Sequence, residues 1–376
     1  MTKTFLMGYY GMQNSGDDAL LCATAMGAKQ YLGAREFFVN SPRALSVPGV
    51  GHFNALLAEP QRVPGSNRFR QYGAAYRSNR VIFGGGSVFH SRRDLDLNRD
   101  LLSLVGGTGH LALGVGIGPF DSVAAERSCA KLLQRLSFVG VRDAASKEIA
   151  DAIAPTAHVE QTFDLAPSLL QHPRFHLPSR RRHGIGVCLC PKERLQGDLV
   201  TEQVRLKQIA RALDMAHFYS GEPVYFQNFN GHPQWGDAAV HREVAAMMDS
   251  RVPVRFVDYD SNPFNVLQQM AGYRVVLSMR LHGSIFAYMT ETPVLSLNYH
   301  PKCEGWCEQA GVPSHLRFDC ATLQADSLTD ELCEGLDEGF ELARLPVAQA
   351  VNASIKNWSS DYVVTHTDHF RSYSAV

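Results

Sequence analysis

The chain has 376 residues, 45% of them apolar and 19% charged, with a formal net charge of -1. That length exceeds what one ordinary core accommodates, so two domains are expected. The charge balance lacks the basic excess of a nucleic-acid binder, and no stretch approaches the ~20 consecutive apolar residues of a membrane-spanning helix.

From Met1 to Gly8 a short apolar run ends in a glycine turn, unlike a signal peptide. A cytoplasmic protein is expected, with peripheral attachment at the inner face of a membrane left open. Eight cysteines occur without a Cys-x-x-Cys pair. They are expected to be reduced and packed, and no metal site is expected.

Short apolar runs then alternate with helical periodicity. Strands are expected at 4–8, 36–40, 80–83, 111–115, 138–141 and 159–162, and helices at 17–32, 48–57, 94–105, 123–136 and 144–153. Strands that are apolar throughout belong to a buried parallel sheet, and their alternation with helices makes it doubly wound.

The strand ends carry the candidate chemistry. Gly8, Gly11 and Gly16 permit a tight strand-to-helix turn, but their spacing is not the dinucleotide fingerprint. Asn14, Asp17 and Asp18 lie where the next helix starts. Asp17 reads either as a first-turn charge favoured by the helix dipole or as a carboxylate that binds or deprotonates a hydroxyl. Gly84, Gly85 and Gly86 follow the third strand. They imply close approach of the backbone to a ligand or to another segment; without Gly-Lys-Ser/Thr they are not a nucleotide phosphate loop. Gly114, Gly116 and Gly118 form another glycine-lined strand end, and Arg142-Asp143 follows the next strand as an ion pair, a cap or a ligand contact.

Residues 171–183 hold two prolines and four arginines without apolar periodicity, as a linker would. A second series follows, with strands expected at 184–190, 223–227, 254–257, 274–277 and 294–297 and helices at 201–217, 237–249, 263–270, 284–289 and 304–310. Beyond 328 the pattern is mainly helical. The expected organisation is 1–170, a linker at 171–183, 184–345, and a helical tail at 346–376. Two such domains would share a cleft lined by the loops after their strands.

The run Ser278-Met279-Arg280-Leu281-His282-Gly283 sits at the turn from a strand to a helix. Open α/β sheets bind ligands at such turns. A guanidinium, an imidazole and the helix N–H groups would face one small volume, suited to an anionic ligand and a proton to be moved. Asn298-Tyr299-His300-Pro301-Lys302 follows the next strand and would bring further cations nearby. No Ser-His-Asp order and no His-x-x-x-His helix stands out.

Taken together, GYYGMQNSGDDALL, GGGSVFH, GVGIGPF, VRDAAS, FDLAPSLL, SMRLHGSIFA and NYHPK, followed by Ala310-Gly311-Val312-Pro313, resemble the polysaccharide pyruvyl transferase family in content and order. The resemblance implies two Rossmann-like doubly wound domains, similar to B-type glycosyltransferases, with a helical C-terminus. It implies transfer of the three-carbon unit of phosphoenolpyruvate to a sugar of a glycan or glycan-lipid, forming a pyruvate ketal and releasing phosphate. Phosphoenolpyruvate is then a co-substrate, and no metal or other cofactor is expected. On this reading His282 protonates the enol carbon and Asp17 serves the acceptor. Arg280, Lys302, Lys192, Gly283 and His300 hold the donor, while Asn14, Asp18, Gly84, Gly85, Gly86 and Arg142 hold the acceptor. Two positions depart from the family pattern: Cys190 stands where an arginine is common, with Lys192 as a substitute, and His300 stands where an aspartate is common. The alternatives are a nucleotide-sugar glycosyltransferase, with Glu291 or Glu304 at a ribose, and a scaffold that has lost donor binding.

Overall fold

A computed structural model describes residues 3–59, 63–173, 175–177, 181–337 and 340–359. Residues 174 and 178–180 of the expected linker, and 360–376 of the expected tail, lie outside them. The chain divides into two compact units. Among the described residues, 3–12, 17–171 and 350–359 belong to the first, and 13–16 and 172–349 to the second.

The first unit contains strands β1 (Lys3–Met7), β2 (Glu36–Val39), β3 (Leu45–Val47), β4 (Gly51–Phe53), β5 (Arg80–Phe89), β6 (Leu111–Ile117), β7 (Phe138–Val141) and β8 (Val159–Gln161). Its helices are α1 (Ser15–Leu32, of which Ser15 and Gly16 group with the second unit), α2 (Ser66–Tyr76), α3 (Arg92–Leu104), α4 (Val123–Leu133) and α5 (Ala144–Ile153). Six strands form one parallel sheet in the order β2-β1-β5-β6-β7-β8. Phe5, Phe83, Phe89, Leu95, Leu101 and Leu132 are buried in the core on one of its faces. The order reverses between β1 and β5, which makes that pair a topological switch point.

The second unit contains β9 (Ile185–Cys188), β10 (Val224–Gln227), β11 (Val254–Val257), β12 (Val275–Ser278), β13 (Val294–Asn298) and β14 (Arg317–Asp319). Its helices are α6 (Lys192–Leu195), α7 (Leu199–Ser220), α8 (Ala238–Met247), α9 (Pro263–Met270), α10 (Leu281–Met289), α11 (Pro301–Ala310) and α12 (Ala325–Leu336). The sheet is again parallel, in the order β11-β10-β9-β12-β13-β14. This is the dinucleotide-fold order, with its switch point between β9 and β12.

Local sequence explains most elements and three departures from expectation. Residues 48–57 are not helical. Pro48 and Gly49 turn the chain between β3 and β4, with Gly49 at φ 76° and Gly51 at φ 144°, conformations that glycine reaches without strain. The glycine triplet lies inside β5 and not after it, because pairing with β6 continues through Gly84↔Leu113 and Gly86↔Val115. A Cβ at Gly84 would overlap Thr24 and Tyr10, and one at Gly85 would press on Leu20. The two glycines therefore let α1 and Tyr10 approach the sheet, and the Tyr10 hydroxyl donates to the Gly84 carbonyl at 2.8 Å.

The third departure is the last helix, α13 (Val347–Ser359), which is part of the first unit's core from residue 350 onward. Asn357 is fully buried. Its Oδ1 accepts from the Gly114 N–H and the Thr162 hydroxyl, both at 2.8 Å, and its Nδ2 donates to the Phe163 carbonyl at 3.0 Å. Trp358, also buried, packs where a Cβ on Gly27 would lie and stacks on Tyr31. Among the described residues, no helix is long and apolar enough to cross a membrane. None of the eight cysteines is in a disulfide.

Candidate active site

The switch point of the second unit is where β9 and β12 lie side by side, with Leu277 opposite Val187 and Ser278 opposite Cys188. The Met279 N–H donates to the Cys188 carbonyl at 2.8 Å and carries the pairing to the strand ends. Arg280 then caps α10 in extended conformation. The Ser278 hydroxyl donates to the Arg280 carbonyl at 2.8 Å. A Cβ at Gly283 would overlap that hydroxyl, so glycine is what lets the first turn of α10 close onto the strand end.

The Arg280 side chain is fixed by a carboxylate. Its Nη2 donates to Asp237 Oδ1, and its Nε donates to Oδ2 at 3.3 Å. The Oδ2 atom also accepts the Phe229 and Asn230 N–H groups at 3.0 and 2.9 Å. Asp237 is fully buried, whereas the Arg280 side chain keeps 17% of its surface exposed. Burial alone would lower the pKa of Arg280, but the adjacent Asp237 charge outweighs it and carries it above its ordinary value. Burial pushes Asp237 upward, and Arg280 opposes that shift. This two-point pair uses one edge of the guanidinium. Among the described residues no acceptor meets Nη1, so the opposite edge remains for a ligand.

Behind the pair stands His241, one turn along α8 from Asp237 and fully buried. Its Nε2 accepts the Leu189 N–H at 3.0 Å, which leaves the ring proton on Nδ1, 2.8 Å from Asn228 Oδ1. Burial, and then the Arg280 charge, push its pKa down to about 3. It is therefore a neutral spacer. Cys190 is buried beside them, and burial pushes its thiol up to about 11 in spite of Arg280.

Two lysines converge on Tyr299. Lys192 Nζ donates to the Tyr299 carbonyl at 2.7 Å and lies 5.0 Å from the ring centroid. Lys302 Nζ lies 5.8 Å from the same centroid, at a cation–π distance. Tyr299 is half-buried, and burial followed by Cys190 raises its hydroxyl pKa. Lys302 sits in the first turn of α11 and not in a loop. His300 caps that helix, with Nδ1 accepting the Lys302 N–H at 3.2 Å.

His282 lies in the first turn of α10 with its ring edge-on to Phe286. Against its other side lies the segment Gln13–Gly16, which is part of the second unit. A Cβ at Gly16 would overlap the His282 ring. The segment is pinned by hydrogen bonds from the Gly231 N–H to the Gln13 carbonyl at 2.8 Å, from the Ser15 N–H to the Phe229 carbonyl at 2.9 Å, and from the Ser15 hydroxyl to the Asp260 carbonyl at 3.0 Å. Asn14 Oδ1 accepts the Gly16 N–H at 3.0 Å. The loop that holds Asp237 thus also holds the backbone against His282.

Within the second unit, then, the structure brings together Arg280, His282, Gly283, Lys192, Lys302, His300 and Asn14. Asp17, Asp18, Gly84, Gly85, Gly86 and Arg142 lie in the first unit. Asp17 and Asp18 occupy the first turn of α1, and Asp18 is buried. Arg142 is held by Ser87 Oγ at 2.9 Å and by the carboxylates of Asp143 and Asp164 at 3.4 and 3.9 Å. Glu304 is occupied by Asn298 and by Arg317 at 2.9 Å. Glu291 follows the C-terminus of α10, at the opposite end of that helix from Arg280. Sequence reasoning missed Asp237 and His241. Gly236-Asp237 before a helix is a cap-like signal, but its long-range partner Arg280 is 43 residues away.

The family model described as polysaccharide pyruvyl transferase matches residues 14–301. The chain belongs to that family. It is thus an enzyme of a transferase family. No curated protein sequence matches the chain. Among solved structures, the chain is similar to a UDP-GlcNAc 2-epimerase from Methanocaldococcus jannaschii, with TM-score 0.61, 9% identity, and coverage of 99% of this chain and 100% of that one. It is also similar to a putative UDP-N-acetylglucosamine 2-epimerase from Listeria monocytogenes, with TM-score 0.60, 10% identity, and coverage of 99% and 95%. A third is HepE of Anabaena, solved with UDP and glucose, with TM-score 0.56, 11% identity, and coverage of 100% of both chains. At these identities the likeness is one of fold, which is GT-B-like with two Rossmann-like sheets.

Proposed function

We propose that this transferase moves the pyruvyl unit of phosphoenolpyruvate onto two hydroxyls of a sugar in a glycan or glycan precursor. The observation that carries the reading is the Arg280–Asp237 pair beside His282, at the switch point of a unit that the family model covers. Asp237 orients the guanidinium and cancels much of its charge, so Lys192 and Lys302 supply the surplus that a phosphate and a carboxylate require. The N–H groups that open α10 add to it.

Imidazole is suited to moving a proton near neutral pH. His282 delivers one to C3 of the enol, and C2 becomes electrophilic. One acceptor hydroxyl adds to C2 and loses its proton. A second hydroxyl then displaces phosphate, closing a cyclic ketal. The two hydroxyl protons balance the one gained at C3 and the one carried off on phosphate. Asp17 is the proposed partner of the acceptor hydroxyl, with Asn14, Asp18, Gly84, Gly85, Gly86 and Arg142 on the acceptor side and His300 and Gly283 shaping the donor side. No metal or further cofactor enters this scheme. The proposed location is the cytoplasm.

Phosphate release from phosphoenolpyruvate, measured with and without a glycan-lipid fraction, tests the reading. Release that requires both, with a ketal found on the acceptor, is expected. Stabilisation by a uridine nucleotide with no response to phosphoenolpyruvate would overturn it.

A further inference from the structure

The first unit has its own switch point, between β1 and β5, and a cavity of about 160 Å³ opens at these strand ends. A cavity of roughly 150 Å³ accommodates a benzene-sized ring, so there is room here for one six-membered sugar ring. Met7, Gly8 and Tyr9 form the β1 side, Phe83 and Val88 the β5 side, and Asp94 and Asn98 of α3 lie across from them. Asp94 and Asn98 are one helical turn apart, so both present to the same face.

The lining has two aromatic rings, three amides, one carboxylate and several aliphatic side chains, and it has no lysine or arginine. A phosphate or carboxylate ligand would need a fixed cation there. A neutral ligand rich in hydroxyls would not. Two of the amides are already paired, with Gln71 Nε2 donating to Asn40 Oδ1 at 2.8 Å. The third, Asn98, is only 7% exposed and makes no hydrogen bond to any described residue. Asp94 likewise has no hydrogen bond or ion pair among them. The Asn98 amide is therefore available to a ligand in the cavity, able both to donate and to accept. Tyr9 is 40% exposed beside it, while the next residue, Tyr10, is 1% exposed. Consecutive tyrosines are therefore split, one into the core and one toward the cavity.

We propose that this cavity is a subsite for a single uncharged pyranose ring, with Asn98 and Asp94 hydrogen-bonded to its hydroxyls and the Tyr9 ring against its apolar face. A carboxylate accepts from two neighbouring hydroxyls, and an amide both donates and accepts. The inference rests on the transferase reading for its biological sense and on the cavity alone for its chemistry.

Saturation-transfer NMR on the full chain, with glucose, galactose, mannose and N-acetylglucosamine against glucuronic acid, tests it without any donor. A neutral sugar is expected to bind, and glucuronic acid to bind more weakly. Asp94→Asn and Asn98→Leu are each expected to weaken binding by about tenfold, with melting temperature as the folding control. Because Asp94→Asn keeps the side-chain shape, it remains informative if Asn98→Leu misfolds. Binding that survives Asp94→Asn unchanged, preference for glucuronic acid, or no binding by any of these sugars would each overturn the subsite. Phosphoenolpyruvate-dependent phosphate release is scored separately. Sugar binding without release sinks the reaction and leaves the subsite, whereas release with no sugar in the cavity does the reverse.

Discussion

The two units repeat one architecture and finish it with opposite chemistry. At the β9/β12 ends a buried ion pair, a neutral histidine and two lysines around one tyrosine make a charged, tightly tied site. At the β1/β5 ends an unpaired amide, a carboxylate and an exposed tyrosine line a cavity without cations. A parallel sheet with a switch point provides a place for a ligand, and only the few residues just past the strands decide which ligand.

The most severe way to break the contrast is Arg280→Ala. It strands Asp237 in the interior as an unpaired charge, an effect on the order of 3–5 kcal/mol. Phosphate release should fall by roughly 10²–10³-fold, and thermal unfolding of the variant should report the lost stability. A fully active Arg280→Ala enzyme would refute the donor site. His282→Gln should lower turnover by about 10²–10⁴-fold, and thermal unfolding of the variant separates that loss from a loss of folded protein. Gly16→Ala forces a methyl into the His282 ring. A fall of about tenfold in turnover, with donor affinity little changed, is expected from that displacement; equal losses in both would show that the segment acts on Arg280 instead.

Each unit also holds a buried histidine with a lowered pKa. In the first, burial and then Arg80 push His110 down to about 4; in the second, His241 is pushed down to about 3. Both lie below the ordinary value of about 6.5, so the unfolded chain takes up protons that the folded chain refuses. Their stabilising effect is full above about pH 6.5 and fades as pH falls toward the folded values. Urea melts across that range should become steadily weaker, and His241→Asn should flatten the trend, whereas an unchanged slope would mean that His241 is not held neutral. The smallest effect is expected for Lys302→Ala. Loss of one cation near Tyr299 should raise the donor KM several-fold and leave stability within about 1 kcal/mol.

Much of the fold was legible because strand–helix alternation is a local property. Residues 138–141 and 254–257 coincide with β7 and β11, and Arg280 and His282 were visible because a strand visibly ends at Ser278. What escaped depends on long-range packing. The glycine triplet resembles a loop until Tyr10 and Leu20 are seen pressing on it. Residues 48–57 had enough apolar spacing to read as a helix, but the Pro48-Gly49 turn prevails. Asp237 showed only a cap-like position before a helix, because its guanidinium partner is 43 residues away, and Asn98 is defined by a space at the ends of the folded sheet.

The placement of α13 has a consequence for how this chain is made. Asn357 and Trp358 complete a core whose other members are translated far earlier, and residues 172–349 of the second unit emerge from the ribosome in between. The usual N-terminal-first order of domain maturation during synthesis is thereby inverted. The leading half must wait, with Gly114 and Thr162 lacking Asn357, until α13 arrives.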